Sequence, residues 1–231
     1  MGRVIRVAFF GLSLALVPAC SEDAKGSAFY DPPPEEPLGK TYAEWSELWQ
    51  RWFLSISCDS EPCENHPAND ATGALCGVGQ NNQDVWFMAG TKNVFDGDPV
   101  LRDQCVVPTG MALLFGPLNA SCPVPVYGKT VEAAAASCEA TMDGATALEV
   151  TVDGESAEDP WAYRAASGPF TITYPDPNIF SKPVGLNEQV VSDGYWVMVR
   201  PLSAGAHTIR SRGEHSKFAF VSDATYELTV E

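Results

Sequence analysis

Histidine is the side chain whose ordinary titration lies nearest neutrality, so acid–base chemistry is sought first at the three histidines of this chain. His66 is the foremost candidate. It sits in a polar stretch, Glu64-Asn65-His66-Pro67-Ala68-Asn69-Asp70, where Asp70 is near enough in sequence to orient the ring. That pairing suits a general base in a hydrolase; the competing reading is a structural ring that caps a turn. His207 lies among apolar neighbours in a strand-like stretch and reads as half-buried in a sheet. His215 lies in a charged turn and reads as solvated. The three are too scattered to specify a metal site. No Gly-x-Ser-x-Gly elbow is present to strain a serine into a nucleophile.

Other side chains suggest binding. Asp96-Gly97-Asp98 is a faint echo of a calcium loop, since hard cations want clustered oxygens, but the rest of an EF-hand loop is missing. Trp161 and Tyr163 stand in a polar segment, Glu158 to Arg164, and as exposed aromatics they would stack on sugar rings or partner side chains; the alternative is that they cover a sandwich edge. Thirty acidic residues guarantee chance carboxylate pairs, so no glycosidase pair can be nominated. The sequence implies no cofactor.

The seven cysteines are Cys20, Cys58, Cys63, Cys76, Cys105, Cys122 and Cys138. Cys20 ends a leader. Arg3 and Arg6 are followed by an apolar run from Val7 to Val17, too short for the roughly twenty residues of a spanning helix. Leu16-Val17-Pro18-Ala19-Cys20 then resembles the bacterial lipobox, in which the cysteine after a small residue is acylated and becomes the first residue. Residues 1–19 are thus expected to be a lipoprotein signal peptide and Cys20 a lipidated, palmitate-type anchor. Ser21 in place of Asp favours the outer membrane by resemblance to enterobacterial sorting. Residues 20–40, with Pro32, Pro33, Pro34 and Pro37, are expected to be a semi-rigid tether. Six cysteines remain, and in an oxidising compartment they are expected to form disulfides. Fifteen pairings are possible. Nearest-neighbour bridges are expected: Cys58–Cys63, Cys76–Cys105 and Cys122–Cys138. Cys58-x4-Cys63 near His66 faintly resembles zinc spacing, with no second close pair to complete it.

The net charge is −16, and the leader carries two basic and no acidic residues, so the mature chain is more acidic still. That balance excludes nucleic acid as a partner and disfavours an electrostatic hold on anionic lipid; it suits a solvated surface.

The elements that would position these groups form one domain over residues 41–231. Thr41 and Glu44 make a capping box, and Trp45, Leu48, Trp49, Trp52 and Phe53 fall on one face of a helix ending near Ile56. Residues 57–84 read as loop. Val85 to Met88 reads as a buried strand, Lys92 to Gln104 as a polar excursion, and Val106 to Phe115 as two strands about a turn at Pro108-Thr109-Gly110. Thr130 to Met142 reads as a second short helix. From Ala147 onward period-two alternation dominates, with strand signals at 148–152, 170–174, 195–199, 207–209, 218–221 and 226–230. The fold class expected is mainly β: an antiparallel β-sandwich with an N-terminal amphipathic helix and a disulfide-stapled front half.

Several local patterns occur in order: the helix YAEWSELWQRW, Asn65-His66-Pro67, Cys76-Gly77-Val78-Gly79-Gln80 with Val85-Trp86-Phe87-Met88-Ala89-Gly90, Cys105-Val106-Val107-Pro108 with Gly110, Tyr163-Arg164, and Asp193-Gly194-Tyr195-Trp196 with Pro201-Leu202-Ser203, Gly205 and His207-Thr208-Ile209. Together they resemble a family of bacterial exported proteins to which no reaction is assigned. The resemblance implies a single secreted domain over most of residues 40–230 and no catalytic residues. The leading expectation is a binding or structural module held at the envelope by its N-terminal lipid, with a glycan or an envelope protein as partner. The alternatives are an envelope hydrolase using His66 with a carboxylate, and a calcium-dependent adhesion module.

Overall fold

A computed structural model describes residues 1–2, 27–92, 98–183 and 185–231. Residues 3–19 of the expected signal peptide and Cys20 fall outside the described residues, as does Asp96.

Helix α1 spans Tyr42–Ser55. Its capping box is complete: the Thr41 side chain accepts from the Glu44 N–H, and the Glu44 carboxylate accepts from the Thr41 N–H. Trp45, Trp49 and Trp52 are buried along one stripe. Each indole N–H donates to a carbonyl outside the helix, those of Pro37, Met88 and Val78 respectively, so the stripe packs and pins at once. Burying an aromatic side chain of this kind stabilises by roughly 3 kcal/mol.

The strands are β1 (Val85–Met88), β2 (Val100–Arg102), β3 (Val106–Val107), β4 (Ala112–Val124), β5 (Ala145–Val152), β6 (Glu155–Ser156), β7 (Arg164–Ala166), β8 (Phe170–Thr173), β9 (Asn187–Val199), β10 (Gly205–His215) and β11 (Phe220–Val230); helix α2, Val131–Met142, lies between β4 and β5. They form two sheets. The first runs β1-β4-β9-β7, with β8 also on β9; the second runs β2-β11-β10-β5-β6, with β3 also on β11. The long strands pair antiparallel, as their alternation predicts. The short strands β1, β2 and β3 of the front half add to them in parallel.

Strand periodicity fixes the layers. Phe115 pairs with Val197, so these two share a face and Trp196 points to the other. Trp196 meets Trp49 of α1 at 5.3 Å between ring centroids, whereas Phe115 meets Tyr226 of the second sheet at 6.4 Å. The first sheet is therefore buried on both faces, by α1 and by the second sheet. Helix α2 covers the rest of the Phe115 side: Ala134 and Cys138 pack on Cys122 and Val191, which pair across β4 and β9. The close approach of β4 and β9 requires Gly194, whose added Cβ would lie 2.5 Å from the Asn119 Cβ.

The disulfides join Cys58–Cys63, Cys76–Cys105 and Cys122–Cys138, the nearest-neighbour pairing. This leaves no thiol at Cys58 or Cys63 for zinc.

The expected tether is corrected from residue 27 onward. Phe29 is buried and bridges to Val199. The Tyr30 N–H donates to the Met198 carbonyl (3.0 Å), and the Arg200 N–H donates to that of Ala28 (2.8 Å). Ser27 Oγ and the Ala28 N–H both donate to the Glu155 carboxylate. The physical reason is an open strand edge: β8, β7 and then this segment occupy, in turn, the side of β9 opposite β4. The prolines begin only after that contact is made.

Candidate functional site

His66 lies in the loop between α1 and β1 with no exposed surface. Its Nε2 faces the Phe53 carbonyl at 3.0 Å, and Nδ1 accepts from the Ala68 N–H at 3.1 Å. That pattern requires the neutral ring with its proton on Nε2. Burial pushes its pKa down to about 4, against a smaller opposing effect of the bond to Phe53. Asp70 does not orient it. The Asp70 carboxylate closes its own turn, accepting from the Thr72 N–H and hydroxyl and from the Leu75 N–H at 2.8 Å each. Burial opposes ionisation there, but these bonds win and hold the carboxyl below its ordinary value. The pair expected for a hydrolase is two separate turn-forming groups.

Beside them is a residue that no local sequence signal singles out. Arg102 of β2 is fully buried and donates to the carbonyls of Asp70 (2.9 Å), Ala89 (2.8 Å) and Gly90 (3.3 Å) and to the Tyr226 hydroxyl. Its guanidinium ties the disulfide-rich loop to the second sheet. It lies in the stretch read as a polar excursion, where nothing local marks it for burial.

His207 contacts a carboxylate. Its Nδ1 is 2.7 Å from Asp153 Oδ2, and Asp153 Oδ1 accepts from the Thr208 N–H at 2.9 Å. Ser203 stands on the other side of the ring, so a serine, a histidine and an aspartate fall in line. The distances decide what this is. Nε2 is 2.8 Å from the Ser203 carbonyl and 3.4 Å from its hydroxyl. A nitrogen that gives its proton to a carbonyl cannot also take the proton of the serine. The group is a clamp between the β9–β10 loop and the β5–β6 turn. His207 is half-buried, as expected.

His215 corrects the solvated reading. It is buried, with Nε2 at 2.6 Å from the Thr141 carbonyl and Nδ1 accepting from the Phe218 N–H, because the end of β10 folds against the C-terminus of α2. Tyr163 corrects the aromatic platform. It is buried, its hydroxyl donates to the Tyr30 carbonyl at 2.7 Å, and burial pushes its pKa up to about 12. Trp161 alone is exposed, its ring edge-on to Tyr195 at 5.4 Å. Asp98 is exposed. Among the described residues no cluster of three or more His, Cys, Asp or Glu side chains is placed to hold a metal ion. No helix among them is long and apolar enough to cross a membrane.

A cleft of about 570 Å³ lies between α2 and the β7–β9 pair. Glu132, Ala136 and Glu139 of α2 form one wall, and Arg164, Ser167 and Asp193 line the other. Arg164 is held from several sides: it donates to Asp193 Oδ2 (2.8 Å), to Asp143 Oδ1 (2.7 Å) and to the Glu139 carbonyl (3.0 Å). The bond to Asp193 contributes most to holding its pKa above the ordinary arginine value. The Cys122–Cys138 bridge fixes α2 against β4 and so fixes the wall spacing. With its one cation spent internally, the lining presents a net acidic surface.

No protein-family model and no curated protein matches the chain. Among solved structures it is similar to one titled "Structure of PbICP-C in complex with falcipain-2", at 8% identity and a TM-score of 0.24, over 64% of this chain and 99% of that one. A TM-score of that size carries no statement about fold or function.

Proposed function

We propose that the chain is an envelope lipoprotein, held by lipid at Cys20, whose domain is a binding module that takes its partner in the α2–β7–β9 cleft. The observation that carries this reading is the cleft itself: a concave surface on a disulfide-fixed frame, lined by side chains that hold one another and place no base beside a nucleophile. The fully buried His66 supports binding over hydrolysis, because its nitrogens are committed to backbone and reach no substrate. Glu132 and Glu139 favour a partner that offers amino or guanidinium groups, a description that fits an amino-bearing envelope glycan or a basic segment of an envelope protein.

The test uses the full chain against purified cell-wall sacculi and against a lysine-rich peptide. Ala136→Trp fills the cleft from an α2 position, and Glu139→Gln lowers its charge. Binding by the wild-type protein that both variants weaken at least about tenfold, roughly 1.4 kcal/mol, supports the cleft. Equal binding by all three proteins, or none by any, overturns it.

A further inference from the structure

We infer that the domain is tethered to the membrane by one pole, formed by Ser27, Glu155 and Arg200, so that this pole lies nearer the bilayer than the opposite end of the sheets. The inference rests on the lipid anchor proposed above. It adds a geometric observation, namely where the anchored segment joins the fold.

Six residues, Ser21 to Gly26, lie between the lipidated position and the first docked residue, Ser27. Whatever their conformation, the seven Cα-to-Cα steps from Cys20 to Ser27 span at most ~25 Å. From Ser27 the chain belongs to the domain. Ser27 and Ala28 are bonded to Glu155, Phe29 is buried beside Val199, and the Arg200 guanidinium donates to the Phe29 carbonyl at 3.0 Å and covers the Tyr30 ring at 4.2 Å. The Tyr163 hydroxyl adds a bond to the Tyr30 carbonyl from the neighbouring element. A leash fixed this firmly cannot swing about residue 40. It must leave the domain where β9 ends.

Strand directions say what else lies at that pole. Gly205 begins β10 opposite Val230, and Glu155 pairs with Val152 beyond the Asp153-Gly154 turn, so the β9–β10 loop and the β5–β6 hairpin share it. The His207 clamp joins these two. The β10–β11 hairpin tip, residues 216–219, lies at the other end, ~35 Å away along an eleven-residue strand. Asp193 is six residues up β9 from Val199, which sets the cleft ~20 Å from the anchored pole.

The experiment uses the full lipidated chain in vesicles of phosphatidylethanolamine and phosphatidylglycerol that carry an acceptor dye on a headgroup. A donor dye is coupled to an azide-bearing amino acid incorporated at exposed Ala204 or at exposed Lys217. Transfer from position 204 about twofold or more above that from 217, as the ~35 Å offset requires, supports the orientation. Equal transfer, or the reverse order, in protein that floats with the vesicles overturns the orientation while leaving the anchor standing. Failure to float overturns the anchor and the orientation with it. Phe29→Ser combined with Glu155→Ala frees the leash; in a variant whose circular dichroism matches the wild type, the two positions should converge, and a difference that persists counts against docking as the cause.

Discussion

Two polar clusters sit beside disulfides in this molecule, and they are built on opposite plans. Around His66, Asp70 and Arg102 the side chains are bonded almost wholly to main chain, and the cluster is sealed. Around Arg164, Asp193 and Asp143 they are bonded chiefly to each other, along the wall of an open cleft. A buried charge that grips carbonyls holds a loop whose backbone would otherwise go unsatisfied. A half-buried ion pair holds a surface in shape while leaving its outer atoms to solvent. The first plan is how a loop-rich segment becomes rigid without strands. The second is how a rigid wall stays available to a partner.

The contrast can be broken at its strongest point. Arg102→Met removes the donor from the Asp70 and Gly90 carbonyls, while Ala89 keeps the Tyr226 hydroxyl, and should cost roughly 4 kcal/mol in urea-induced unfolding, since each buried acceptor left bare costs about 1–3 kcal/mol. A loss under about 1 kcal/mol would mean that the loop is held by its disulfides alone. The His66 effect depends on pH. Its folded pKa is lowered from 6.5 to about 4, so below pH 6.5 the unfolded chain takes a proton that the folded chain refuses. Stability should be full above that pH and fall by up to roughly 3 kcal/mol as pH drops toward 4. His66→Gln keeps an N–H for Phe53 and should flatten that slope; unfolding curves at pH 7.5 and 4.5 compare the two, and identical slopes would place the titration elsewhere. The smallest effect belongs to the open cluster. Arg164→Met strips the partner from buried Asp193 and should cost about 1–2 kcal/mol, less than Arg102 because Asp143 is exposed and loses little. A larger loss than for Arg102→Met would reverse the comparison.

Much of the frame was legible in the sequence, for local reasons. The Thr41–Glu44 box and the tryptophan stripe write α1 in full, and the alanine-rich stretch from Thr130 forms α2 as expected, with Thr130 as its cap. The disulfides follow from sequence proximity. What was hidden depended on partners distant in sequence. Strand β4 continues to Val124 through Gly116-Pro117, residues that read locally as a break, because the ladder with β9 shifts register between Phe115 and Leu118 and resumes. Strand β9 begins eight residues before the apolar Tyr195–Val199 run. Its Ser192-Asp193-Gly194 looks like a turn but is extended because Arg164 neutralises Asp193 and Asn119 packs on Gly194. The same cause hid the sites. Arg102 and Arg164 acquire their roles only when strands distant in sequence meet. His66 drew attention through its polar neighbours, the residues that fold into turns and bury it.

The bridges and the sheets also differ in when they can be completed. The cysteine partners lie 5, 29 and 16 residues apart, all within the first part of the domain. The second sheet instead waits for β11, which pairs with β10 and with β2 and β3 made long before it. A chain appearing N-terminus first can therefore be fully oxidised while an interior strand is still missing. Surveillance that inspects for unpaired thiols would pass such a molecule, so damage confined to the final strand should be caught by recognition of an open sheet edge and not by thiol chemistry.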